Sequence, residues 1–334
     1  MVRRILTVLA AAAVAAAAAP LPLTIYFIDV EGGQATLVVT PNRQSMLIDT
    51  GYAGLGDRDP QRIMAAARDA GISRLDVLLI THFHGDHDGG APSIAKSLPI
   101  STFVDYGTPV QTGDSVTQPF QAYAEVRRSG KHVVAKAGER LPLTGVDVRI
   151  VSAAGTTLSR PLDGAGRPNP ACSGLTRMED DATENARSTG VLLTLGQFRF
   201  LDLGDLAGNT LAQLVCPNDL IGRVDVYLVP HHGNADANVP AVTAALRPRV
   251  AIVNNGVTKG AAPEMLAALH GLRGVDVWQL HRSANDGAGN SPDAVIANVD
   301  DGKTAYWIKL TATADGAFTV NNGRTGVSRR YAPR

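Results

Sequence analysis

Residues 75–90 read LDVLLITHFHGDHDGG, and the fold turns on them. The run 75–82 is almost continuously apolar, which fits a strand covered on both faces rather than one face. Directly after it, His82, His84, Asp86 and His87 crowd into six residues. Imidazole and carboxylate are the ligand set for zinc and related divalent ions, and the turn at Gly85 lets alternate side chains face one point. A lone histidine at a strand end is usually structural, but four such groups in so short a stretch predict a metal site. His82 and His84 can hold one ion; Asp86 and His87 can hold a second.

Outward from this stretch the chain repeats one grammar. LTIYFIDV (23–30), QATLVVT (34–40) and SMLIDTG (45–51) are short β-rich runs, followed by a helical stretch at 59–71 with an Asp cap, a Pro in the first turn and a stop at Gly71. The same order returns as GVLLTLGQFRFLDLGD (190–205), two strands, then LAGNTLAQLV (206–215), a helix, then VDVYLVPHHG (224–233), a buried strand ending in histidines. Two halves of similar grammar predict two sheets packed face to face with helices outside. Residues 153–187 carry Gly, Pro, Ser, Asp and Glu without apolar periodicity and read as a long surface loop, since strands lie on both sides. TAYWIKLTA (304–312) and GAFTVNNG (316–323) alternate, so the tail returns to sheet.

Composition narrows the classes. With 45% hydrophobic and 19% charged residues in 334, the chain has the material for a sizeable core and is not a disordered segment. Lys+Arg equals Asp+Glu at 31 each, so no global positive field points to a nucleic-acid partner. Residues 1–19, MVRRILTVLAAAAVAAAAA, have a basic start, an apolar run and small residues at Ala17 and Ala19, the pattern of a secretory signal peptide. Cleavage would remove Arg3 and Arg4 and leave a net charge of about −2. No other segment has the length to span a bilayer. The expected product is therefore a periplasmic or secreted chain, 20–334, folded as one domain. There Cys172 and Cys216 are either a disulfide or two buried thiols.

HxHxDH after an apolar strand resembles the defining motif of the metallo-β-lactamase superfamily, and the resemblance extends over nearly all of 20–334. It implies an αββα sandwich, two mixed β-sheets with helices on the outer faces and the metal site at one edge. It also implies a structural role for Asp49 in LIDTG, a metal-bridging role for Asp205 in FLDLGDL, and a last ligand in the PHHG of 230–233. Asp202 is the alternative to Asp205. The superfamily pattern makes His232 the ligand and leaves His231 beside the site to touch substrate, with the reverse order as runner-up. FIDVEGGQATLVV, LITHFHGDHDGG, ENARSTGVLLTLGQFRFLDLGD and VYLVPHHG together resemble the competence-protein-like hydrolase branch. The resemblance carries one departure: ENARSTG (184–190) lacks the third histidine many members place on the first ion, and Glu184 or Asn185 falls there.

The implied cofactors are two divalent ions, zinc first, with manganese or iron as alternatives. Such a pair shares a water whose pKa falls towards 7, so hydroxide attacks a bound ester at neutral pH while the cations stabilise developing charge. Asp86 orients that water or moves its proton, and His231 is the other catalytic candidate. Phosphodiester or phosphate-ester cleavage is the leading expectation. Acyl hydrolysis of a lactone or β-lactam, and a non-catalytic metal-binding interaction protein, are the competing ones. The chain has no G-x-S-x-G, so a serine nucleophile is not indicated. Of the remaining polar groups, His281, Arg282 and Ser283 read either as pocket mouth or as surface loop. Arg127, Arg128, Lys131 and His132 read as a solvated face, and His270 as structural.

Overall fold

The computed structural model describes residues 21–299 and 305–334, so the leader expected over 1–19 lies outside the described residues. Six strands come first: β1 (Leu23–Phe27), β2 (Thr36–Val39), β3 (Ser45–Ile48), β4 (Leu75–Leu79), β5 (Ile100–Asp105) and β6 (Lys131–Val134). Between them run helices α1 (Arg58–Asp69), α2 (Gly85–Asp88), α3 (Ala91–Ser97) and α4 (Asp114–Val126). The second half holds β7 (Asp147–Ala153), β8 (Thr156–Thr157), β9 (Gly190–Leu195), β10 (Phe198–Asp202), β11 (Val226–Leu228), β12 (Val250–Val253), β13 (Asp276–His281) and β14 (Ile296–Asn298). Helices α5 (Gly208–Gln213), α6 (Pro240–Leu246) and α7 (Pro263–His270) connect these strands. The tail forms β15 (Ile308–Ala312) and β16 (Phe318–Asn322), and adds β17 (Ser328–Tyr331), which the sequence reading did not foresee.

The strands form two mixed sheets, ordered β17-β16-β15-β1-β2-β3-β4-β5-β6 and β14-β13-β12-β11-β10-β9-β7-β8. The tail thus crosses back to pair β15 with β1, antiparallel, with Leu23 opposite Ala312. Period-two alternation explains why the central strands are apolar throughout. In β12, Val250 and Ile252 belong to the core cluster of the sheet interface, while Ala251 and Val253 belong to the cluster beneath the helices. Phe27 of β1 meets Phe200 of β10 edge to face at 5.6 Å, which seals the two sheets. This is the αββα architecture expected.

Two local expectations change, and one open alternative is decided. α1 begins at Arg58 rather than at an Asp59 cap. The Asp59 carboxylate instead accepts the Tyr52 amide hydrogen at 2.8 Å and pairs with Arg58, holding the loop after β3. Arg127 leaves the solvated face and reaches the buried Asp105 carboxylate at 2.8 Å, where the exposed His132 also bonds at 3.0 Å and Tyr123 donates at 2.7 Å. A buried carboxylate recruits cations from the surface because it has no other source of charge. Arg128 and Lys131 do stay exposed. Finally, the long loop is stapled, since Cys172 and Cys216 form a disulfide with an S–S distance of 2.05 Å.

Candidate metal centre

Strand ends build the centre. The segment after β4 delivers His82 and His84, and the single turn of α2 swings Asp86 and His87 back towards the strand end. The loop after β10 delivers Asp205, and the loop after β11 delivers His232. His231 and His232 both have left-handed backbone, with φ of 51° and 55°, as does Asp49 at 60°. Non-glycine residues rarely adopt this conformation, which costs of order 1–3 kcal/mol per residue and clusters at functional sites.

Asp86, His87, Asp205 and His232, all buried, place one ligand atom each within 4.8 Å of one another. Nε2 of His87 lies 3.3 Å from Oδ2 of both Asp86 and Asp205, and Nε2 of His232 lies 3.2 Å from the same two atoms. Neither Nε2 has hydrogen-bond geometry to any group, nor does Oδ1 of Asp205, among the described residues. Buried polar atoms are seldom left unpaired, and so tight a convergence of them calls for an ion. Tetrahedral metal–ligand bonds of 2.0–2.1 Å place ligand atoms about 3.3–3.4 Å apart, close to the four His–Asp separations of 3.2 and 3.3 Å. The residues fit a divalent ion.

The supporting contacts fix ring orientation. His87 Nδ1 sits 2.7 Å from Asp49 Oδ2, and Asp49 also accepts from the Thr81 amide and hydroxyl at 2.8 and 2.7 Å. That carboxylate leaves Nε2 of His87 facing the centre. Burial opposes a charged His87, yet Asp205, Asp86 and Asp49 hold its pKa well above the usual histidine range. Burial likewise opposes charge on Asp86 and Asp205. His87 and the Asp86–His232 contact hold Asp86 well below the usual carboxylate range, and His232 with His87 does the same for Asp205. The pair of carboxylates thus demands positive charge at this point.

His82 and His84 stand on the other side of Asp205. His82 Nε2 is 3.0 Å from His84 Nδ1 and 3.8 Å from Asp205 Oδ2. Burial, reinforced by the charge of His87, pushes the His82 pKa well below the usual range, so this ring stays neutral and able to ligate. His84 Nε2 donates to Gln111 Oε1 at 2.9 Å, which leaves its Nδ1 on the His82 side. Glu184 does not enter the centre: its carboxylate accepts the Val110 and Gln111 amides at 2.6 and 2.8 Å. Asn185 Nδ2 lies 3.2 Å from His231 Nε2. His231 is also 2.8 Å from Asp236 through Nδ1, and its Nε2 is 3.9 Å from Asp205. Asp202, the alternative to Asp205, turns away and accepts from Gln34 Nε2 at 3.0 Å and from the Gly204 amide. Its burial raises its pKa to about 7.

Other candidates lie elsewhere. His281 is buried at the end of β13 and bonds the Arg282 carbonyl, while Arg282 pairs with Asp293. His270 contacts the Ser291 hydroxyl at 3.5 Å.

Three residues that the sequence did not single out join the site. Gln34 donates its amide hydrogen to the Asp86 carbonyl at 3.1 Å while its side chain links Asp202 to Asn254, tying the ligand turn to both sheets. Lys259 bonds Asp86 Oδ2, and Tyr52 is 3.1 Å from the same ammonium. The usable signal was positional: loops leaving the carboxyl ends of strands in an open α/β sheet gather at one edge, and 254–262 is such a loop. Backbone clamps hold it there, with the Ala261 and Ala262 amides donating to the His232 and Gly233 carbonyls at 2.8 and 2.9 Å. Gly260, at φ 76°, has no room for a side chain, because a Cβ would stand 2.2 Å from the His232 carbonyl. Gly260→Ala should therefore destabilise the fold by about 2 kcal/mol or more and weaken metal retention. Urea unfolding and metal analysis check this, and an unshifted midpoint with full metal content would refute the clamp.

Residues 28–165 match the family described as the Metallo-beta-lactamase superfamily. Over those residues the chain carries a metallo-beta-lactamase superfamily domain, and it is a hydrolase. It is 28% identical over 249 residues, 72% of this chain and 79% of the relative, to a UPF0173 metal-dependent hydrolase of Polynucleobacter asymbioticus. It is 26% identical over 230 residues to Recombination protein 2 of Haemophilus influenzae, covering 69% of this chain but only 24% of that protein's length. The metallo-beta-lactamase fold protein YhfI of Bacillus subtilis superposes with a TM-score of 0.46 at 10% identity, covering 86% of this chain and 99% of that one. No described helix is long and apolar enough to cross a membrane.

Proposed function

We propose that residues 20–334 form one exported, binuclear metal-dependent phosphoesterase domain whose preferred bond is a phosphodiester or phosphate ester. The observation that carries this reading is the convergence of Asp86, His87, Asp205 and His232 on one point, with His82 and His84 placed across Asp205 for a second ion. Bound divalent ions would supply Lewis acidity and an activated water, zinc being the first choice and manganese or iron the alternatives. Thiol catalysis does not compete, since both cysteines are in the disulfide. That bond and the leader-like residues 1–19 support an oxidising, extracytoplasmic setting. The branch motifs, with PHHG at 230–233 and no third histidine in 184–190, support phosphate over acyl chemistry.

The chain's own residues divide the work. Asp86 stands 3.3 and 3.2 Å from the His87 and His232 Nε2 atoms and also bonds Lys259, and it orients the attacking water. His231 works from the rim. Burial disfavours its charged form, but the Asp236 hydrogen bond and the Asp205 charge hold its pKa above the usual histidine value. Its Nδ1 faces Asp236, and its Nε2, beside the Asn185 amide, lies 3.9 Å from Asp205 Oδ2, where it can meet a substrate oxygen at the edge of the centre.

The two neighbouring histidines separate by experiment. His232→Ala should lose bound metal and turnover together. His231→Ala should keep its metal and lose roughly 10–100-fold in kcat. Metal per chain by mass spectrometry decides, and the opposite pattern makes His231 the ligand. The bond class is tested with p-nitrophenyl phosphodiesters and monoesters, a lactone and a chromogenic cephalosporin on metal-loaded protein. Lactone or cephalosporin opening with inert phosphate esters would overturn the phosphoesterase reading.

A further inference from the structure

We infer that the cavity at the amino ends of β10 and β11 is a second ligand site, and that its occupant is a condensed phosphate, a chain of linked phosphate groups without a base. Asp205 and His232 leave the carboxyl ends of the same two parallel strands, so the cavity lies at the opposite edge of the sheet from the metal centre. The site stands independently of the phosphoesterase reading.

The cavity holds about 620 Å³, an ordinary volume for a small-molecule site. Arg167, Arg199, Arg223, Arg247 and Arg334 all line it, against two carboxylates, Asp219 and Asp225. The chain's equal totals of basic and acidic residues therefore conceal a local excess of positive charge. Both carboxylates are already engaged. Asp219 accepts the Ile221 and Gly222 amides at 3.0 and 2.8 Å, while Asp225 accepts the Arg199 amide at 3.0 Å and lies 3.6 Å from Arg249, which does not line the cavity. Arg334 comes no nearer to Asp225 than 4.0 Å.

The guanidinium groups find mostly neutral partners or none. Arg199 is half-buried, and its two terminal nitrogens donate to the Ile221 and Arg223 carbonyls at 2.7 and 2.8 Å. Burial disfavours its charge, and Asp219 and Asp225 offset this only from beyond ion-pair distance. The Arg167 and Arg223 side chains have no hydrogen bond or ion pair among the described residues. The arrangement is also built. Gly222, at φ 83°, makes room for Arg199, since a Cβ there would stand 3.0 Å from Nη1. The loop carrying Arg167 is clamped to the segment carrying Asp219: the Gly166 amide donates to the Asp219 carbonyl at 2.7 Å, and the Asp219 amide donates to the Arg167 carbonyl at 2.9 Å. The Cys172–Cys216 disulfide then ties the two segments together. Guanidinium forks match phosphate oxygens, and five around one cavity suit several linked phosphates better than one. No aromatic side chain is among the described residues lining it, so a nucleotide base would have nothing to stack on.

The test is calorimetric titration of the full chain with tripolyphosphate, orthophosphate and adenosine triphosphate at low salt. Asp205→Asn serves as the arm with a disabled metal centre, which separates binding at the cavity from withdrawal of metal by the phosphate chain. In that arm as in wild type, tripolyphosphate should bind at least about tenfold more tightly than orthophosphate, and adenosine triphosphate no more tightly than tripolyphosphate. Arg167→Ser with Arg223→Ser should weaken tripolyphosphate roughly tenfold or more, with metal content and melting temperature unchanged. Equal affinities for tripolyphosphate and orthophosphate, an unaltered double variant, or binding that vanishes in Asp205→Asn would overturn the inference. Adenosine triphosphate bound about tenfold more tightly than tripolyphosphate would overturn it too, by revealing recognition of a base.

Discussion

Asp205→Asn should abolish metal binding at both positions and lower turnover by at least about a thousandfold, with the fold intact by circular dichroism. The size of the effect follows from one atom. Oδ2 of Asp205 is reached by Nε2 of His232 at 3.2 Å, His87 at 3.3 Å, His82 at 3.8 Å and His231 at 3.9 Å. No other carboxylate among the described residues is ringed by four imidazoles, so no neighbour can substitute for its charge. Asparagine keeps the shape and removes the negative charge. Added zinc should raise the melting temperature of the wild type and leave the variant almost unmoved, because only a state that binds the ion is stabilised by it. Full metal occupancy and near-normal turnover in Asp205→Asn would remove the basis for a bridged centre.

Opening the disulfide should be the largest purely structural loss. Cys172 and Cys216 are 44 residues apart in sequence, and closing a loop of that length removes unfolded-state entropy worth about 4 kcal/mol in the chain-entropy model, with measured values more often 2–4. Cys172→Ser with Cys216→Ser should lower the urea midpoint accordingly. Metal content should persist, since none of the centre's ligand candidates lies on 153–187. The loop's end does carry Glu184 and Asn185, which meet the Gln111 amide and His231, so turnover should fall modestly. An unchanged midpoint would mean the loop is held by its packing alone.

The two expectations differ in kind because the two features were visible to different degrees. The ligand cluster at 82–87 is local in sequence: four groups within one strand end and one turn announce themselves without knowledge of the fold. The cysteines were ambiguous, since a pair separated by 44 residues says nothing of distance until 153–187 folds over α5. Arg127, within the basic cluster at 127–132, was misjudged for a similar reason. Its partner, Asp105, lies more than twenty residues upstream and is buried only once β5, β6 and α4 pack together.

Apolar periodicity and close spacing are properties of neighbouring residues, so the strand and helix grammar, the two-sheet sandwich and the crowding of His and Asp at 82–87 were legible along the chain. Only the tertiary structure decided that Asp205 rather than Asp202 faces the centre, that Glu184 turns to backbone amides, and that Lys259 and Tyr52 stand beside Asp86. Each depends on which way a loop turns after its strand ends. Clamps from distant segments set that direction, such as the Ala261 amide on the His232 carbonyl, and no spacing along the chain records them.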